Sequence, residues 1–457
     1  MAQMSKAGDL TSGPMLKKII LFSLPLAASS FLQLLFNAAD VVVVGRFVGS
    51  AALAAVGSNG ALINLLVNLF VGLALGANVV AARCYGAKDD QGVHEAVQTA
   101  VTLSLVGGVL MAFVGFFAAH GLLELMSSPE DVIDLATLYL KIYFIGMPMT
   151  MLYNFNASLL RAVGDTRRPL VCLAVAGVIN VVLNLLFVIV FQMSVAGVAL
   201  ATILSQTVSA IMVTVLLVKE EGAMHLDLRH LGFHKKALLQ IIQIGLPAGL
   251  QSTVFSLSNV VIQSAINTLG TVAIAASSAA FNVEILAYDV LNSFSQACTT
   301  FVGQNYGAGQ IKRCKKTMQL SFLEGAIATF VSVVVLLLSA RSLLAIFNSD
   351  PEVIAIGYIR LATILPAYVF CLIYEILSGY LRGFGISLAP ALLTMLGVCG
   401  IRIAWVKFVF PMSMTFQTVM WVYPISLGAT AMLILCAVLI YRPSRRFAGL
   451  ETEEEDK

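Results

Sequence analysis

The stretch "FSLPLAASS" (Phe22–Ser30) returns 222 positions later as "IGLPAGLQS" (Ile244–Ser252), with Pro25 matched by Pro247. Working outward, "CYGAKDD" (Cys84–Asp90) pairs with "NYGAGQI" (Asn305–Ile311), and "SSPEDVI" (Ser127–Ile133) with "NSDPEVI" (Asn348–Ile354). "LLRAVGDTRRP" (Leu159–Pro169) pairs with "YLRGFGISLAP" (Tyr380–Pro390). Four anchors in one order and near one offset mark an internal duplication. The spaces between anchors are filled by long apolar runs.

Composition says what those runs are. Charged residues make up 11% of the 457 and hydrophobic residues 59%, with a mean hydropathy of +0.93, whereas a soluble domain carries roughly 25% charged residues. Such a chain cannot cover itself with polar surface, so it belongs in a lipid bilayer. Its net charge of +3 gives no footprint for nucleic acid. The seven cysteines are scattered and odd in number, without a CxxC pair, which argues against a disulfide framework or a metal site. No cofactor is expected. The first apolar run is too long for a signal-peptide core and reads as a span.

Runs of about 20 apolar residues cross a bilayer as helix, because lipid leaves no other way to satisfy the backbone. Twelve are read, at 18–44, 52–82, 94–119, 132–158, 169–191, 195–218, 238–264, 272–302, 317–340, 353–380, 388–410 and 415–441. Pro25, Pro148, Pro247, Pro366 and Pro424 fall inside spans and mark expected kinks. Each repeat holds six spans, so both point the same way across the membrane. The expected fold is an all-α integral membrane protein with twelve transmembrane helices in two parallel six-helix lobes around a central cavity. The lobes are 1–218 and 238–457, joined by the charged segment 219–237. Most Lys and Arg collect on one side: Lys17 and Lys18, Arg167 and Arg168, Lys235 and Lys236, Lys315 and Lys316, Arg445 and Arg446. The positive-inside rule makes that side, and both termini, cytoplasmic. The acidic tail "ETEEEDK" (Glu451–Lys457) reads as a solvated end.

At these anchors the chain resembles the multidrug and toxic compound extrusion (MATE) family. The resemblance rests on the paired Leu-Pro openings, on "TFVGQNYGAGQ" (Thr300–Gln310) and on the paired Leu-Arg-x-x-Gly motifs at Leu160 and Leu381. It implies a secondary antiporter in the bacterial cytoplasmic membrane, expected as a monomer. The exchange it implies is export of organic, mostly cationic compounds for H⁺ or Na⁺. The wider superfamily includes flippases for lipid-linked oligosaccharides, so fold alone does not choose the substrate.

A charge inside a span is costly and marks function by default. Asp40 stands near the outer end of span 1. Asn180 and Asn184 share one face of span 5 at i and i+4, and Thr202 lies in the outer half of span 6. A carboxylate, two amides and a hydroxyl can offer oxygen to one H⁺ or Na⁺. The repeat supplies a control: the position matching Asp40 is Val261 or Ile262, so the fold does not need this acid. A structural polar role for the four, by interhelical hydrogen bonding, is the alternative. The resemblance implies a cation- or proton-responsive network at these positions, often with Asp where Asn184 stands.

Gln33 lies two turns before Asp40 on the same face. Asn154, in span 4, is implied by the resemblance to line the first-lobe cavity. Both are expected to touch substrate. In the second lobe Glu284 and Asp289 (span 8), Glu375 (span 10) and Arg402 (span 11) are intramembrane charges. Glu284 and Glu375 either face a cationic substrate as free acids or pair with Arg402. The expected interior therefore sets Asp40, Glu284, Asp289 and Glu375 against Arg402 and Lys407, a balance that suits cations. The absence of G-x-x-x-x-G-K-[ST], H-E-x-x-H and G-x-S-x-G motifs removes a P-loop ATPase and the commoner hydrolases. A lipid-precursor flippase remains the rival reading.

Overall fold

The computed structural model describes residues 9–125 and 130–447. The Ser127–Pro129 part of the third anchor and the acidic tail lie outside the described residues. Within them the chain is helical, with eleven helices long and apolar enough to span a membrane, or twelve when one bent pair counts as a single span. The spans follow the hydropathy reading: α1 Met15–Phe47, α2 Ser50–Gly86, α3 Asp90–Leu125, the pair α4 Glu130–Ile145 and α5 Met147–Ala162, α6 Arg167–Leu185 and α7 Ser194–Lys219. After the linker come α8 Lys235–Asn267, α9 Thr271–Gly307, α10 Ile311–Phe347, α11 Pro351–Ile364 with α12 Tyr368–Gly383, the broken span from α13 Leu388–Thr394 through α14 Ile401–Ala404, and α15 Phe416–Tyr441.

The expected proline kinks take different forms. Pro148 opens α5 just after a bend of 49° between α4 and α5. A Cβ at Gly146, the bend residue, would come within 2.5 Å of Ile203, so this close corner needs glycine. Pro366 sits in a 3₁₀ turn between α11 and α12, while Pro25, Pro247 and Pro424 stay inside continuous helices. Wide π turns at Leu186–Val190, Met395–Gly400 and Trp405–Val409 contain no proline, and hydropathy carries no sign of them.

Two of the four duplicated motifs turn out to be helix stops. At the end of α5, Gly164 (φ +84°) donates to Arg161 O at 2.9 Å and Asp165 N donates to Leu160 O at 3.0 Å. At the end of α12, Gly385 (φ +74°) donates to Arg382 O at 2.8 Å and Ile386 N to Leu381 O at 3.0 Å. This is the left-handed glycine cap that closes the last carbonyls of a helix. The Tyr-Gly-Ala pair does the same after α2 and α9: Asp89 N reaches Cys84 O at 3.0 Å and Gln310 N reaches Asn305 O at 2.8 Å. The left-handed residue there is Gly309 in one repeat and Lys88 in the other.

The chain divides into two compact units. One is Ala28–Leu246; the other joins Leu10–Ala27 to Pro247–Lys457. Thus α1 and α8 each change unit within a residue or two of Pro25 and Pro247. In the first unit the linker is anchored: Leu226 and Met224 are buried, and His234 N donates to Thr99 Oγ1 at 3.0 Å. In the second unit the segment entering α1 is anchored in the matching way. Leu10 N donates to Gln304 Oε1 at 3.0 Å, and Asn305 Nδ2 donates to Leu10 O at 3.3 Å. The "GQN" of the signature stretch is therefore a socket for the backbone of Leu10.

Candidate functional site

Asp40 projects from the last two turns of α1, where Val43 and Val44 are packed into the apolar cluster of the first unit with Tyr139, Val188, Val195 and Val198. Its Oδ1 accepts a hydrogen bond from Asn184 Nδ2 on α6. The other amide proton of Asn184 goes to Asn180 Oδ1 at 3.3 Å, one turn away on the same helix. The Thr202 hydroxyl on α7 lies within hydrogen-bonding reach of Asp40 while donating to Val198 O at 3.0 Å. All four expected coupling residues are therefore brought together. Asn184 is fully buried and Asn180 nearly so, whereas Asp40 is half-buried.

The arrangement can hold either protonation state of the acid. As a carboxylate, Asp40 accepts from Asn184. As a carboxylic acid it becomes a donor and needs an acceptor. Asn184 Oδ1 is buried without a partner, and a half-turn of the amide presents that oxygen in place of the nitrogen at no change of shape. One further neighbour was missed in the sequence: Tyr139 on α4, whose phenol lies within electrostatic reach of Asp40. Nothing but a tyrosine within a span marked it. Among the described residues no group of three or more His, Cys, Asp or Glu converges to hold a metal.

A glycine sets the spacing of this site. A Cβ at Gly177 on α6 would come within 1.8 Å of the Phe36 ring of α1. Phe36 precedes Asp40 by one turn, and Gly177 precedes Asn180 by one, so the same contact holds the polar pair together. Gly177→Leu is expected to push α1 from α6 and separate Asp40 from Asn184, because an overpacked contact cannot absorb the added side chain. The check is the monodisperse peak in detergent after mild heating, with Gly177→Ala giving a smaller loss.

The expected substrate residues are not gathered with these four. Gln33 is exposed two turns along α1. Asn154 donates to Thr150 O on its own helix at 2.9 Å. Glu284 is not a free acid, nor is it paired with Arg402. Arg360 of α11 holds it, Nη2 to Oε2 at 2.9 Å and Nε to Oε2 at 3.0 Å, and Tyr368 donates to Oε1 at 3.0 Å. Glu375 also avoids Arg402. It accepts from Tyr288 at 3.4 Å, with Ser295 and Tyr374 beside it and Arg382 as the charge acting on it. Arg402 is satisfied instead by neutral groups: Asn259 Oδ1 at 2.8 Å, Ser426 Oγ at 3.5 Å and the faces of Tyr423 and Phe255 at 4.5 and 5.0 Å.

The interior charge balance read along the chain therefore needs correction. It omitted Arg360, which neutralises Glu284, and Glu324, a buried acid of α10. Arg360 was legible in principle, since an arginine in the apolar stretch "GYIRLATIL" (Gly357–Leu365) demands a buried acid.

Comparison with known proteins places this geometry. A profile of the MatE family matches residues 25–186 and 247–406, the two repeats. The chain is 29% identical to the probable multidrug resistance protein YpnP of Bacillus subtilis over 87% of this chain and 89% of that one. It is 25% identical to an FAD transporter of Shewanella oneidensis over 76% and 77%. Among solved structures, a MOP superfamily transporter from Pyrococcus furiosus superposes with a TM-score of 0.90 at 22% identity, covering 98% of this chain and all of that one.

Proposed function

The chain belongs to the MatE family of membrane transporters, and from that premise we propose that it is a secondary antiporter that exports amphipathic organic cations in exchange for protons. The observation that carries the coupling reading is the Asp40–Asn184–Asn180 chain of hydrogen bonds, set in an apolar wall and served by an amide able to pair with acid or carboxylate. A proton suits it better than Na⁺. Hard metal cations gather several oxygen ligands, whereas the group that Asn184 turns to Asp40 is its amide nitrogen, which a cation cannot use. The wide family of multidrug relatives supports a small organic substrate. The acids Asp40 and Asp289, which have no ion-pair partner among the described residues, support positive charge on it.

The test is efflux of ethidium from proteoliposomes with a pH gradient and a Na⁺ gradient imposed separately. The reading expects transport with the first and none with the second; Na⁺-driven efflux alone would refute proton coupling. A second reading, export of an organic anion or flipping of a lipid-linked anionic precursor, draws support from Arg402, a buried cation with no carboxylate partner among the described residues. It predicts that ethidium is not moved and that an anionic dye or complementation of a cell-envelope flippase defect is.

We place the protein, as a monomer, in a bacterial cytoplasmic membrane with 219–237 and both ends in the cytoplasm, on the support of the Lys and Arg bias. His225→Cys in a cysteine-depleted background is expected to react with a membrane-impermeant maleimide in inverted vesicles and not in intact cells. Labelling from outside alone would invert the orientation.

A further inference from the structure

Glu324 lies on α10, the span between the signature stretch and α11, and plays no part in the site above. It is 7% exposed, both of its carboxyl oxygens are inaccessible, and neither has a hydrogen-bond partner among the described residues. A buried carboxylate left in this condition is among the costliest groups a protein can hold. The same buried face of α10 carries Thr317 and Ser321, both fully buried. Their hydroxyls are also unpartnered by geometry, apart from the Cys298 thiol of α9 standing beside Ser321. Positions 317, 321 and 324 follow one another at i, i+4 and i+7, rising about 6 and about 4.5 Å at 1.5 Å per residue. The ladder climbs from the end of α10 that bears Lys312, Arg313, Lys315 and Lys316.

The repeat again provides a control. The positions matching Glu324 are Leu103 and Thr102, so the fold does not need an acid here. The ionisable groups on the packed helices do not pair with it. Glu284 and Arg360 satisfy one another, Glu375 accepts from Tyr288, and no ion pair reaches Glu324 among the described residues.

We propose that Glu324 is a second proton-exchange site, in the second unit. The chemistry selects a proton over a metal cation, because Ser321 is the single oxygen-bearing side chain of α10 within one turn of it on the same face. A proton converts the carboxylate into a neutral group whose cost in this setting is far smaller. The role in transport rests on the antiport reading; proton binding itself does not.

The experiment is infrared difference spectroscopy of the full chain in phosphatidylcholine vesicles, stepped between mildly acidic and mildly alkaline buffer with no organic substrate present. A protonated-carboxyl band that disappears in alkali is expected. Glu324→Gln should delete it, Glu324→Asp should shift its frequency, and Asp40→Asn should leave it in place. A difference spectrum unchanged by Glu324→Gln, or a Glu324 band that persists through alkali, would overturn the proposal. Because no substrate is used, failure of Asp40-dependent efflux would count against the antiport reading and leave this result standing.

Discussion

Asp40→Asn is expected to abolish pH-gradient-driven efflux, to the level of protein-free vesicles, while ethidium binding stays within several-fold of the unaltered protein. The substitution removes the one group in the first-unit cluster that changes charge. A gradient can shift a two-state equilibrium only through a ligand that binds the two states differently. Asn has nearly the shape of protonated Asp and cannot give the proton up, so Asn184 keeps a partner but the cycle loses its driving ligand. Separating binding from transport is what makes the result diagnostic. Binding measured by fluorescence anisotropy should persist when efflux does not. Efflux at the normal rate would make the carboxylate a structural group and remove the proton-coupling reading.

Arg360→Met is expected to have the largest effect on folding. Glu284 and Arg360 are 8% and 4% exposed, and the guanidinium also donates to Ser277 Oγ at 2.7 Å and lies over Tyr423 and Phe281. Removing one partner of such a pair leaves the other as a buried, uncompensated charge, at about 3–5 kcal/mol. Replacing both by neutral groups of similar volume avoids that cost. The single variant should lose most of its monodisperse peak in detergent after mild heating, measured by fluorescence-detected size exclusion. Arg360→Met combined with Glu284→Gln should recover most of it. Equal loss in single and double variants would mean that the pair is held for another reason, such as a substrate contact of Glu284.

Much of this protein is determined by its amino-acid order alone. Lipid allows no unsatisfied backbone, so the length and hydropathy of each run decide that it is a helix and where it crosses. The broken span through Gly146 and the continuous α10 obey the same rule. The duplication was legible because helix stops need glycine in the left-handed region, and Gly164 and Gly385 keep that need in both repeats. The Asp40 cluster was legible because a 3.6-residue period puts Asn180 and Asn184 on one face, and counting from the span ends gives their depth. Pairings between helices were decided by the tertiary structure. Glu284 and Arg360 are 76 residues apart, and hydropathy fixes how deep each lies but not its rotation about its helix axis. Each residue turns that axis by about 100°, so a small change in helix packing decides whether Glu284 meets Arg360 or Arg402. Glu324, an acid in an apolar run, was as legible as Arg360, but the same indeterminacy hid its lack of a partner, which depends on which face of α10 turns inward. It also hid the change of unit along α1 and α8, because membership of a unit is a property of contacts, and contacts exist only after the helices have packed.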